Sequence, residues 1–200
     1  RRASPPPLAM ITWVVTMDSR FLELVSQVFK YPTEGLKNSL SGLEAYCAGT
    51  NHSHAEKVSL AVKEAGKFSL TGLEEIYADL FYIKPLVSLD IGFQLFGDER
   101  KRVEFLLHLK GLQQRYGVDC GSELPDSLPN ILILLTRMEE GEDRDELINL
   151  ALAPALAKIV SIMNKAKNEK GISVYLPLSE LLLEFVKSAA PGANALKARS

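Results

Sequence analysis

The sequence predicts an all-α fold, a single-domain bundle of about eight helices. Three observations predict it. Apolar residues recur at three- and four-residue spacing along most of the chain, and capping residues stand ahead of those stretches. No run of four or more residues alternates cleanly between apolar and polar. Ile172 to Leu176 comes nearest, and a lone short strand would have nothing to pair with.

The first helix starts at Asp18 or Ser19, either of which can cap the exposed amides, and carries Phe21, Leu22, Val25, Val28 and Phe29 on one face. It should stop near Tyr31, because Pro32 disfavours a helical residue before it. Thr33 can cap a second helix bearing Leu36, Leu40, Leu43 and Tyr46, which ends near Gly49. After the turn Asn51-His52-Ser53-His54, a third helix runs through Val58, Val62 and Ala65 to Gly66. Ser69 can cap a fourth, with Leu73, Ile76, Tyr77, Leu80 and Phe81 facing inward. Pro85, Gly92 and Gly97 then limit the stretch from Ile83 to Gly97 to a loop with one short helix at most.

Asp98 is expected to cap the next helix, whose apolar positions are Val103, Leu106, Leu107, Leu109 and Leu112, with Gly117 at the left-handed position after it. Val118 to Asp126 reads as a loop. Ser127 caps the following helix, with Pro129 in its first turn, where a missing amide costs little, and Ile131, Leu132, Leu134 and Leu135 lead to Met138. The acidic stretch Glu139 to Asp143 links to a helical segment from Asp145 to Lys167, which should bend or break ahead of Pro154. A last amphipathic helix is expected from about Leu178 to Ser188. Pro191-Gly192 ends it and opens a flexible tail over 191–200.

At 200 residues the chain suffices for one domain with a substantial core and is short for two. A net charge of −2 supplies no broad basic surface for nucleic acid or anionic lipid. Cys47 and Cys120 form no CxxC pair, so two reduced thiols fit better than a stapled secreted scaffold. No uninterrupted apolar run reaches the ~18 residues of a membrane span. Residues 1–16 differ from the rest. Paired arginines, three prolines and a short apolar run read as a leader or an extraneous N-terminal segment, and Met17 as a start. If that segment is ordered, its arginines and apolar run would suit docking on a neighbouring molecule in place of a client segment.

Catalytic signatures are scarce. The chain has no P-loop, GxGxxG, GxSxG or HExxH. His52 and His54 on a turn do not make a metal site without further ligands, and His108 reads as a helix-surface or satisfied core residue. Arg100-Lys101-Arg102 lies among Asp98, Glu99 and Glu104 near a helix start, where the dipole disfavours cations, and reads as a solvated face. Two segments stand out: Glu74 to Tyr82 leading into Asp90 to Arg100, and Glu123-Leu124-Pro125-Asp126-Ser127-Leu128-Pro129. Both set aromatics and acids at helix junctions. That combination suits a groove for a peptide with an apolar stretch and a basic end, and Pro125-Asp126-Ser127 is equally a good helix entry.

These segments resemble the nitrate reductase delta subunit, the NarJ-type branch of the TorD/DmsD family of redox-enzyme maturation chaperones. The likeness runs from about Leu24 to Lys187. It takes in Val28-Phe29-Lys30-Tyr31-Pro32, Tyr77-Ala78-Asp79-Leu80-Phe81, Phe96-Gly97-Asp98-Glu99-Arg100, Tyr116-Gly117 and, most closely, Glu123 to Pro129. The resemblance implies a cytoplasmic, non-catalytic chaperone without a cofactor or metal of its own. Its partner would be the N-terminal signal segment of a molybdopterin oxidoreductase catalytic subunit, often a twin-arginine signal, held until the cofactors are inserted. By that analogy the peptide site comprises Tyr77, Asp79, Phe81, Phe93, Phe96, Arg100, Glu123 and Asp126. Ser127 stands where many relatives have an aromatic or His, and Tyr82-Ile83-Lys84 replaces Asp-Arg-Gly, which points to a client other than nitrate reductase within that superfamily. A helical adaptor for another partner peptide is the alternative, and both a monomer and a dimer suit the chain.

Overall fold

The computed structural model describes residues 18–50, 52–83 and 85–189. Nine helices occur among them. They are α1 (Ser19–Val28), α2 (Leu36–Thr50), α3 (His52–Ala65), α4 (Leu70–Phe81), α5 (Ile91–Phe96), α6 (Arg100–Arg115), α7 (Leu128–Arg137), α8 (Glu142–Lys165) and α9 (Ile172–Ala189). No strand is found among the described residues, only an isolated antiparallel bridge between Asp90 and Ser127. The fold is an all-α bundle. The expectations for residues 1–16 and for the tail 191–200 lie outside the described residues.

Local chemistry sets several helix ends where the sequence expects them. The Asp18 carboxylate accepts from the amides of Arg20 and Phe21, and the Ser69 hydroxyl accepts from Gly72. Gly117 follows α6 with φ 65°, a region that costs an L side chain. Gly171, at φ 82°, does the same ahead of α9, and a Cβ there would stand 2.1 Å from Ile76 Cγ2.

Amphipathic faces then assemble one core. α1 packs on α2 and α7, α3 on α2 and α9, α9 on α8, and α5 on both α6 and α8. Phe21, Leu22, Phe29, Leu43, Leu73, Ile131, Leu156, Tyr175 and Leu182 are fully buried at this junction. Each of the aliphatic and phenylalanine side chains among them contributes about 1.5–3 kcal/mol of burial. An aromatic cluster of Phe29, Tyr77, Phe81 and Tyr175, with centroids 4.9–6.2 Å apart, ties α1, α4 and α9 together.

Three expectations are corrected and a fourth takes an unforeseen form. Glu99, not Asp98, precedes α6, and neither carboxylate caps it; Asp98 turns instead toward Arg102. Val103 and Leu107 face solvent, 56% and 66% exposed, so the buried side of α6 is Leu109, Leu112 and Gln113. The distortion expected ahead of Pro154 is present, as a π-helical turn over Leu147–Leu152, but α8 runs on through it without a break in the helix. That turn relieves the clash between the proline ring and the carbonyl four residues back. Finally, α9 starts at Ile172, so the segment closest to strand alternation is its first turn, and Pro177 sits inside it at the loss of one backbone bond.

The continuity of α8 also changes the reading of length. Glu142–Lys165 is long and apolar enough to cross a membrane by length and composition, although no uninterrupted apolar run reaches that length. Half of its most apolar stretch is buried within the bundle, through Ile148, Leu152, Leu156, Ile159 and Met163.

Candidate functional site

Two backbone bonds join the starts of α5 and α7. The Ile91 amide donates to the Asp126 carbonyl at 2.8 Å, and the Leu128 amide donates to the Leu89 carbonyl at 2.9 Å. The loop between α6 and α7 is held from its inner side. Gln113 Nε2 donates to the Pro125 carbonyl at 2.8 Å, and Asn130 Nδ2 donates to the Leu124 carbonyl at 3.0 Å. Gly121, at φ 58°, lets the loop turn back. Between this loop, the end of α4 and the start of α5 lies a cleft of about 900 Å³.

Aromatics and acids line the cleft. Tyr77, Phe81 and Tyr82 come from the end of α4, Tyr31 from the turn after α1, and Phe93 from α5. Tyr31, Tyr82, Phe93 and Leu124 are all exposed large apolar side chains, gathered at this one place on the surface. Four carboxylates (Asp90, Asp98, Asp119 and Glu123) face two cations, Lys30 and Arg102. Tyr82 Oη donates to Glu123 Oε1 at 2.9 Å, joining α4 to the loop, and burial followed by this bond pushes the Tyr82 phenol up to about 12. Tyr77 Oη donates to the Phe29 carbonyl at 2.8 Å, and its ring, packed against Tyr31, Phe81 and Tyr82, is largely buried behind the cleft surface.

At the inner end of the cleft a single guanidinium gathers three carboxylates. Arg102 Nε donates to Asp126 Oδ2 at 3.0 Å, Nη2 to Asp90 Oδ2 at 2.8 Å, and Nη1 to Asp98 Oδ1 at 3.5 Å. Its charge also lies over the Phe93 ring, 5.5 Å from the centroid. Burial works against the charged guanidinium, yet the bonds to Asp126 and Asp90 hold its pKa above the ordinary arginine value. Asp90 is raised: its burial and then the charge of Asp126 outweigh the pull of Arg102.

The structure brings together four of the eight residues expected at a peptide site: Tyr77, Phe81, Phe93 and Glu123. The other four stand apart from the cleft lining. Asp126 is 0% exposed and committed to Arg102, so it supports the cleft from beneath. Phe96 packs edge-on against Phe105, with centroids 5.9 Å apart. Arg100 is exposed and paired with Glu104, and Asp79 is exposed on α4. The reading of Arg100-Lys101-Arg102 as a solvated face is corrected at its last member, whose side chain is only 14% exposed. Arg102 is the residue sequence reasoning missed, and Tyr82 and Asp90 lay within the singled-out stretch but outside the eight expected site residues. A usable signal existed: a cation in the first turn of a helix opposes the dipole and so calls for carboxylate partners.

The arrangement suits a partner segment that carries both cations and apolar side chains. Carboxylates on the rim can hold guanidinium or ammonium groups, and the aromatic walls can take aliphatic or aromatic residues. Among the described residues, no group of three or more His, Cys, Asp or Glu is spaced to hold a metal ion. No family model and no curated protein matches this sequence.

Proposed function

We propose that this protein is a cytoplasmic, non-catalytic maturation chaperone. It binds the N-terminal signal segment of a molybdopterin oxidoreductase catalytic subunit and supports cofactor insertion and assembly before export or membrane docking. One observation carries the proposal. The cleft combines an excess of carboxylates with exposed Tyr31, Tyr82, Phe93 and Leu124, and a basic, apolar leader is the complement of that surface. The resemblance of Glu123 to Pro129 and of Tyr77 to Phe81 to NarJ-type chaperones supports the choice of client class. Leader segments are disordered when free, so ordering offsets part of the contact energy, and micromolar or weaker affinity is expected.

Calorimetric titration with the N-terminal peptide of such a catalytic subunit, against a scrambled peptide of the same composition, tests the proposal. The native order should bind and the scrambled order should bind at least several-fold more weakly. Equal affinity for both would reduce the site to a nonspecific acidic surface and overturn the reading. Glu123→Gln is the informative variant: Glu123 is exposed at the rim, whereas Asp126 is buried in the support.

A further inference from the structure

We infer that Arg102 is a resident competitor in the cleft: at the Asp90 end, beside Phe93, an incoming arginine is gripped as Arg102 releases Asp90 and Asp98, which makes Arg102 a determinant of affinity and selectivity for guanidinium groups. The inference rests on the peptide-binding reading above.

The three carboxylates around Arg102 differ in what can reach them. Asp126 is closed off, whereas the Asp90 and Asp98 side chains are 31% and 85% exposed. At the end of the cleft beside Phe93 a client cation therefore meets Asp90 and Asp98, both engaged by Arg102, whereas Asp119 and Glu123 farther along the lining are not. A bidentate grip on a guanidinium uses both oxygens of a carboxylate, and Oδ2 of Asp90 is held by Arg102 Nη2 at 2.8 Å. The Phe93 ring that a client arginine would stack on lies under the same guanidinium.

The geometry also permits the release. Arg102 is anchored through Nε to Asp126, so it can give up Asp90 and Asp98 without losing its buried partner. Asp90 is incompletely neutralised, since its burial and Asp126 outweigh Arg102, and a second cation at that carboxylate would be favoured. Exchange of one guanidinium for another conserves most of the hydrogen bonding. Such a site binds weakly and discriminates sharply, because a ligand without a guanidinium cannot replace what Arg102 gives up.

The test uses two synthetic peptides, one with adjacent arginines ahead of an eight-residue apolar run and one with both arginines replaced by citrulline, a neutral isostere. Arg102→Gln combined with Asp126→Asn leaves the cleft's net charge unchanged and frees Asp90 and Asp98. The double variant should bind the arginine peptide about tenfold more tightly than the wild type, with citrulline-peptide affinity unchanged. An unchanged or weaker arginine-peptide affinity, in a variant that still melts cooperatively, would overturn the inference. A second measurement needs no substitution. In the wild type the Arg102 Nη–H resonances, which report the bonds to Asp90 and Asp98, should shift when the arginine peptide saturates the site and stay put with the citrulline peptide. Nη–H resonances that the arginine peptide leaves unmoved also overturn it. A wild type that binds neither peptide refutes the peptide-binding reading itself, whereas binding without the exchange signature refutes only the role of Arg102.

Discussion

Arg102 and Asp126, 24 residues apart in sequence, meet through an Nε–Oδ2 contact of 3.0 Å in which the carboxylate is fully buried. A buried ion pair is a modest source of net stability, but removing one member strands the other's charge in a poor solvent. Arg102→Ala should therefore cost about 3–5 kcal/mol, seen as a lower denaturant midpoint with an unchanged slope. A loss below about 1 kcal/mol would mean that solvent reaches Asp126 and that the pair does not brace the cleft.

The same support makes Gly92 sensitive to a single methyl group. A Cβ there would lie 2.6 Å from Asp126 Oδ2, 2.9 Å from Phe105 Cδ1 and 3.2 Å from Arg102 Cγ. Gly92 lies in a helix, where alanine is intrinsically preferred, so propensity alone predicts a gain of up to about 1 kcal/mol. Overpacking should win. Gly92→Ala is expected to destabilise by about 1–3 kcal/mol in thermal or denaturant melts, and a stabilised variant would show that the Arg102 cluster shifts freely.

The contrast between these residues and the helices marks what was readable in the chain. Asp18, Ser69 and Gly117 act through neighbours a few positions away, so spacing reveals them. A distortion ahead of Pro154 is legible from the proline itself, but its form, the π-helical turn at Leu147–Leu152, leaves no compositional mark. Arg102 was missed and Asp126 placed in the wrong role for a different reason. Their meaning lies in a contact between α6 and the start of α7, set by the Asp90–Ser127 bridge, which no local pattern encodes. Tyr77, Phe81, Phe93 and Glu123, expected from the family resemblance, lie together along one cleft. Phe96, in the same stretch as Phe93, shows the limit: three residues along one short helix separate the ring that lines the cleft from the ring that packs on Phe105.

Peptide binding and stability should respond to pH with opposite signs at Asp90. The groups facing it are Asp126 from the start of α7, Arg102 from α6 and Glu123 from the loop. Its folded pKa is raised, so as pH rises the carboxyl ionises in the unfolded chain first and in the folded protein later. Across that window the unfolded state holds fewer protons, and the Asp90 contribution to stability falls as pH rises. A client guanidinium favours the ionised form, so affinity climbs through the same window, which begins above the ordinary aspartate value of about 3.9. Comparing wild type with Asp90→Asn between pH 4 and 7 checks both. An affinity profile identical in the two proteins would remove Asp90 from the site.

Thiol reactivity provides an independent view of the cleft. Burial pushes the Cys47 thiol up to about 11, and burial followed by the charge of Asp119 raises Cys120. Both thiols should react slowly, since the thiolate is the nucleophile, but for different reasons of access. Cys47 is 0% exposed within the core, whereas Cys120 lies in the cleft lining, its Sγ donating to Gln113 Oε1 at 3.0 Å. At pH 8 iodoacetamide should label Cys120 in the native protein and reach Cys47 only after unfolding. A bound arginine-rich leader peptide occupies the space beside Cys120 and should slow that labelling several-fold, leaving Cys47 untouched. Labelling of Cys120 at the same rate with the site saturated would place the peptide elsewhere on the surface, because no segment filling this cleft can leave its lining as accessible as before.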